Sequence, residues 1–208
     1  MLNKKFFTIL YLLLVSCSSF AVNGNINNSS RNLLEVLHWD QRYEVNRVKD
    51  LEYILGNIDG PSVQNLNDAQ KKSLLITIRK TILDQMMKDK DTYKVYMIEQ
   101  YNKSFTMDEL ESLIQYYNTP VMHLVINSQL KNKEITIDEI NMELLKAKSK
   151  DQQIVEWFRN SYLNIRYQRF QEKVNPIVNK MIANRMETVI EATLIRLPEL
   201  VTYLNNTK

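Results

Sequence analysis

Cysteine is almost missing from this chain of 208 residues: Cys17 is the one example, and it stands inside a leader-like start. An internal disulfide, a cysteine-based metal site and a thiolate nucleophile in the folded part are thereby excluded, so stability must come from packing. Glycine and proline are nearly as scarce, at 3 and 4 residues. So few turn formers cannot punctuate the many short strands of a sandwich or barrel, and the composition points to long helices. An excess of one charge is lacking too. Without Lys4 and Lys5 of the leader, 25 Lys and Arg face 24 Asp and Glu, and the two signs alternate along the chain. Nucleic-acid binding needs a clustered cationic face that releases phosphate counterions, and no such cluster is present. Phosphate-binding glycine loops, a Gly-x-Ser-x-Gly elbow, His-Glu-x-x-His and calcium loops are absent from the sequence as well, which leaves no cofactor or metal implied.

What is present begins with a leader. Residues 1–21 open Met-Leu-Asn-Lys-Lys, continue through the apolar run Phe6 to Val15 and close on small residues. That is the order of a secretory signal, and the apolar run is too short to span a bilayer. Two cuts compete. Leu14-Val15-Ser16-Cys17 resembles the lipobox of bacterial lipoproteins, in which the leader is cut before a cysteine that is then acylated. Ser19-Phe20-Ala21 fits the small-x-small site of ordinary signal peptidase, which would cut after Ala21. The lone cysteine at the lipobox position makes Cys17 the candidate lipid attachment and a possible membrane tether. Residues 22–30 are polar and read as a flexible spacer. The expected location is export, either to the periplasm or to the bacterial envelope as an anchored protein.

From residue 31 to 208 apolar residues recur at helical spacing, and period-2 alternation is nowhere sustained. The expectation is an all-α, irregular bundle of six to eight helices after a cleaved signal peptide. A first helix over about 31–55 carries Leu33, Leu34, Leu37, Val45, Val48, Leu51 and Leu55, and the Gly56 and Asp59-Gly60-Pro61 turn stops it. Asn67 with Gln70 forms a capping box for a second helix bearing Leu74, Leu75, Ile78, Ile82 and Met86, and Asp91 caps a third with Tyr93, Tyr96, Met97 and Tyr101. Thr106-Met107-Asp108-Glu109 is a further capping box, followed by Leu110, Leu113, Ile114 and Tyr117. Asn118-Thr119-Pro120 turns the chain into a new helix with proline in its first turn. Thr136-Ile137-Asp138-Glu139 repeats the capping chemistry. A helical region then runs to about Val174, with room for a break near Lys148 to Asp151 and with Val155, Phe158, Tyr162 and Ile165 as its stripe. Pro176 restarts a helix bearing Ile177, Val178, Met181, Ile182, Val189 and Leu194, and Pro198 begins a short last one.

The segment Phe105-Thr106-x-x-Glu109-Leu110, continued by Tyr116-Tyr117-Asn118-Thr119-Pro120, resembles a bacterial family known as domain of unknown function 2059. The resemblance implies a small exported helical protein, with 31–134 as the family-like part and 135–208 as a C-terminal helical extension. It implies no activity. The family pattern has glycine two positions after the proline, where this chain has Met122, so a looser or differently filled corner is expected there.

Candidate functional residues are few. His38, with Glu35 one turn earlier and Asp40 nearby, is the place where a hydrolase would have to be built; His123 reads as a flanking side chain. The paired carboxylates at 108–109 and 138–139 are explained by helix starts. Asp40, Gln41 and Glu44 interrupt the apolar seam of the first helix, and Arg166, Arg169 and Arg185 lie on or beside apolar faces. Buried charge is unfavourable unless paired, so these arginines, with Tyr116 and Tyr117 of the motif, are the binding candidates. The function expected is a non-enzymatic helical binding or interaction module for a partner protein. Its rivals are a periplasmic lipid or amphiphile binder and, further off, a hydrolase using His38.

Overall fold

In a computed structural model, which describes residues 26–55 and 66–206, the chain is all-α, with no strand among the described residues. The leader with both its cleavage positions, the spacer residues 22–25 and the Gly56 to Pro61 turn lie outside the described residues. Nine helices are seen among them: α1 over residues 26–36, α2 Trp39–Leu55, α3 Asp68–Ser104, α4 Met107–Tyr117, α5 Pro120–Leu130, α6 Ile137–Lys146, α7 Ser149–Asn160, α8 Tyr162–Ile195 and α9 Leu197–Asn206. The described residues fall into two compact units, one within the bounds Met1–Trp39 and Val95–Tyr167 and one within Asp40–Lys94 and Gln168–Lys208. Each unit takes residues from both sides of residue 134. The long helices α3 and α8 each contribute residues to both units.

In the first unit the core is Leu33, Leu34, Met97, Tyr101, Phe105, Leu110, Leu113, Val121, Ile126, Val155, Phe158, Leu163 and Tyr167. Two local devices build it. Thr106 accepts from the Glu109 backbone while the Glu109 carboxylate accepts from the Thr106 N–H, and Thr136 with Glu139 repeats the arrangement. Each box satisfies N–H groups that the first helical turn leaves without carbonyl partners. At the corner after α4, Pro120 sits in the first turn of α5, where its missing N–H is harmless. Thr119, nearly fully buried, does not cap α5 with its side chain; its hydroxyl donates back to the Tyr116 carbonyl at 2.8 Å. Met122 lies within α5, half-buried, where a helical residue has no need of glycine's freedom.

Residues 26–30, expected in the flexible spacer, are helical. Ser29 and Ser30 are buried, and the Ser30 hydroxyl donates to Asn102 at 2.6 Å. The asparagine-rich composition misled here because short polar side chains can serve a helix when a partner takes their hydrogen bonds. The expected helix 31–55 is broken at Leu37–His38. His38 has φ 50°, the left-handed region, and its N–H donates to Glu35 at 2.9 Å. The break resets the helical phase, so Tyr43, Arg47 and Leu51 are buried in α2 while Val45 and Val48 are only half-buried.

The second unit buries Tyr43, Leu51, Leu66, Leu74, Ile78, Ile82, Met86 and Tyr93 with Phe170, Val174, Val178, Ile182, Met186 and Val189. The Asn67–Gln70 box forms in both directions, at 3.0 and 2.9 Å. Asp91 caps nothing: α3 runs through it for 37 residues, because Met86, Tyr93 and Met97 continue one buried stripe across the expected gap. Leu75 falls outside that stripe and is exposed. Pro176 likewise restarts no helix but lies inside α8, whose stripe Phe170, Val174, Val178 and Ile182 is buried at every turn around it. Burial of four such side chains, at about 1.5–3 kcal/mol each, outweighs the roughly 3 kcal/mol that an interior proline costs.

Of the expected stripe Val155, Phe158, Tyr162 and Ile165, the last two are exposed, Tyr162 by 70%. Ser161 is the cause. It leaves the helix in an extended conformation, its hydroxyl donates to Phe158 O at 2.8 Å and accepts from Asn164 N at 3.3 Å, and α8 starts in a new phase with Leu163, Tyr167 and Phe170 inward. Ile177 and Leu194 are also exposed rather than buried, displaced by the Val174, Val178, Ile182 and Met186 stripe.

Candidate functional site

The motif residues converge within the first unit. Phe105 lies 6.1 Å from both Tyr101 and Tyr167, ring centre to ring centre, and Tyr117 lies 5.8 Å from Tyr167. Tyr116 stacks on Phe158 at 3.9 Å and meets Tyr117 edge-on at 5.0 Å. Offset and edge-on aromatic pairs add to the area term, so this chain of rings is a strong internal brace. Burial pushes the Tyr116 phenol above its usual pKa, with Arg159 pulling partly back. A phenol so shifted stays neutral and is a poor proton acceptor.

Arg166 closes the cluster from α8. Its guanidinium donates to the Glu109 carboxylate and to the Ser104 carbonyl, and it lies over the Phe105 ring at 5.3 Å. Glu109 thus caps α4 with one oxygen and holds Arg166 with the other. Of the arginines singled out in the sequence, Arg166 pairs with the acid of the capping box. Both Glu109 oxygens are engaged, one by the Thr106 N–H and one by Arg166.

The other candidates fall elsewhere. Arg169 is exposed. Arg185 donates from Nε to Asp89 at 2.7 Å, a bond that raises its pKa further, and lines a cavity of about 380 Å³ with Thr81, Thr188, Val189, Thr193 and Arg196. Asp40 binds Lys94 at 2.7 Å and lies 3.8 Å from Lys90, which also donates to Glu44 at 3.2 Å. The Glu44 bond, followed by the charge of Asp40, raises the pKa of Lys90. The seam acids are therefore held by lysines. The His38 ring stands 6.5 Å from that of His123, edge to face, while Glu35 is exposed. No group of three or more His, Cys, Asp or Glu among the described residues could hold a metal ion.

Several residues of interest carried no sequence signal strong enough to single them out. Arg47 is buried, pairs with Asp50 at 3.0 Å and lies over the Tyr43 ring at 5.4 Å. It lines a cavity of about 660 Å³ with Asn46, Asn179 and Met186. Its position three and four residues before Asp50 and Leu51, on the buried face, could have been found only after the break at His38 was known. Leu75 and Ile76 line a cavity of about 470 Å³ rimmed by Lys71, Lys72 and Arg79 with Glu52 and Asp68. On α6 no residue is buried: Ile137, Met142 and Leu145 are 76%, 54% and 75% exposed.

No protein-family model, curated protein or solved structure matches this chain. Among the described residues no helix is long and apolar enough to cross a membrane.

Proposed function

We propose that the chain is an exported, non-enzymatic helical interaction module of the bacterial envelope that binds a partner protein through α6. The observation that carries this reading is α6 itself. A complete capping box fixes its start, its apolar residues recur at Ile137, Ile140 and Leu144 with Leu145 alongside, and yet none of its residues is buried. Apolar surface left open on a well-formed amphipathic helix is the usual mark of a helix that docks against something else. Cys17 would tether the module to a membrane, and the likeness to domain of unknown function 2059 belongs to the same reading.

A photo-crosslinking side chain placed at Leu145 in the source cells tests it. A discrete protein adduct is expected, absent when the same group is placed at exposed Lys180 and lost on adding Ile137→Glu. Equal labelling from both positions would refute the docking surface. Intact mass of the exported protein separates acylation of Cys17 from cleavage after Ala21.

A second reading, binding of an amphiphile, is favoured by the cavity of about 470 Å³ where exposed Leu75 and Ile76 lie among Lys71, Lys72, Asp68 and the ion pair of Arg79 with Glu52 at 2.9 Å. The volume is within the range of small-molecule sites, and an acyl chain on the leucine and isoleucine would leave its head group at a rim of mixed charge. Mass spectrometry of an organic extract of the purified protein decides this: a stoichiometric lipid supports it, and a lipid-free protein removes it.

A further inference from the structure

Trp157 is out of place in α7. Its neighbours Val155 and Phe158 are buried, whereas the indole is 51% exposed. On the same face stand Lys150, Gln153 and Ile154, at positions seven, four and three before it, as helical periodicity requires. Ser112 and Gln115, three apart on α4, complete the lining of a groove of about 270 Å³ between the two helices. The stacked pair Tyr116 and Phe158 ties α4 to α7, and each of these rings is the next residue after Gln115 and Trp157. The groove is therefore held open by a rigid brace directly beneath it, which is the preorganisation that a binding site needs.

Its polar groups are unspent. The Gln115 and Gln153 amides and the Trp157 indole N–H make no hydrogen bond to another described residue, and the Ser112 hydroxyl, which donates to Asp108 O at 2.8 Å, keeps its lone pairs. Each amide offers both donors and an acceptor side by side. A groove of about 270 Å³ has room for one six-membered ring. Lys150 is the one cation in the lining, so the clustered charge that phosphate or carboxylate recognition uses is not there.

A pyranose meets these features in one molecule. Its flat face is a set of polarised C–H groups that fits the electron-rich face of an indole, and its rim carries adjacent hydroxyls that both donate and accept, as the amides do. We propose that the groove binds the ring of a neutral sugar, with Trp157 stacked on its C–H face and Gln115 and Gln153 holding neighbouring hydroxyls. No residue of α6 lines the groove.

The chain has two tryptophans, so the ¹⁵N-labelled protein shows two indole N–H signals, and Trp157→Phe identifies which is which. Titration with N-acetylglucosamine trisaccharide and with maltotriose should shift the Trp157 signal saturably and leave that of Trp39 in place. Gln115→Ala with Gln153→Ala should weaken binding about tenfold, the loss of one to two net hydrogen bonds. These residues are on the surface, and an unchanged circular dichroism spectrum would show that the fold survives. No saturable shift with either sugar overturns the proposal. So does a shift that the double variant leaves unchanged, or one seen only with glucuronate and abolished by salt.

Discussion

Replacing Glu109 by alanine should weaken the fold more than replacing Glu139, although each residue closes the same Thr-x-Asp-Glu capping box. The local geometry is matched: the Thr N–H donates to the glutamate at 2.8 Å in both, and the glutamate N–H donates to the Thr hydroxyl at 3.3 Å in one and 3.2 Å in the other. Loss of the box at Glu109 costs about 1 kcal/mol, from one capping bond and one acid in the first turn. What differs is the second oxygen. At Glu139 it accepts from Lys133 at 3.3 Å, an exposed pair of the kind that contributes little. At Glu109 it holds Arg166, whose other bond goes to the Ser104 carbonyl and whose plane covers Phe105.

A charge-assisted bond of this sort contributes about 1.5–3 kcal/mol when well covered. The Glu109 and Arg166 side chains are 25% and 40% exposed, so solvent reduces the figure to about 1 kcal/mol. The sum for Glu109→Ala is therefore about 2 kcal/mol, visible as a lower urea midpoint by far-ultraviolet circular dichroism. Glu139→Ala should move the midpoint the same way by clearly less. A double-mutant cycle of Glu109→Ala with Arg166→Ala isolates the pair, and about 1 kcal/mol of coupling is expected. Equal shifts for the two glutamate variants, or an additive cycle, would refute the claim that tertiary contact separates two locally matched caps.

Three other perturbations follow from single positions. Tyr43 is buried and donates to Met86 O at 3.0 Å, and burial first, then the nearby Tyr93, pushes its pKa from 10.0 to about 12. The folded chain then keeps a proton that the unfolded chain releases, so this contribution is complete below pH 10 and is lost as the pH rises to about 12; Tyr43→Phe should flatten the alkaline limb of a stability–pH curve. Pro176→Ala restores an interior helical bond and should raise stability by about 1–3 kcal/mol in thermal unfolding. His38 at φ 50° predicts that His38→Gly stabilises by up to about 1 kcal/mol while His38→Val destabilises, since a β-branched side chain fits the left-handed region worst.

The helical class and the caps were legible because both depend on residues close in sequence. Asn67–Gln70, Thr106–Glu109 and Thr136–Glu139 each form as their spacing predicted. Misplaced elements failed at points where local preference met tertiary packing. Pro176 and Asp91 favour breaks locally, yet both sit inside long helices because the buried stripes on either side stay in phase. His38 and Ser161 break helices with no glycine or proline to announce it, and each break rotated the stripe that followed. Trp157 could not be placed for the same reason: the face it occupies is set by where α7 ends and by what Phe158 stacks on.

The motif between Phe105 and Pro120 looked most like a signature of function, and the packing gives its Glu109, Thr119 and Tyr116 other work. Glu109 serves the cap and Arg166; Thr119 returns its hydroxyl to the preceding turn; Tyr116 stacks on Phe158 and meets Tyr117 edge-on, with burial raising the pKa of its phenol. A side chain so engaged can take a ligand only by giving up contacts that hold the unit together, which would set the binding energy against the stability of the fold. Recognition is more easily built from groups that the fold leaves idle. In this unit those are the open apolar side of α6 and the groove beside Trp157, and what the aromatic motif adds is the rigidity that keeps α4 and α7 in register beneath that groove.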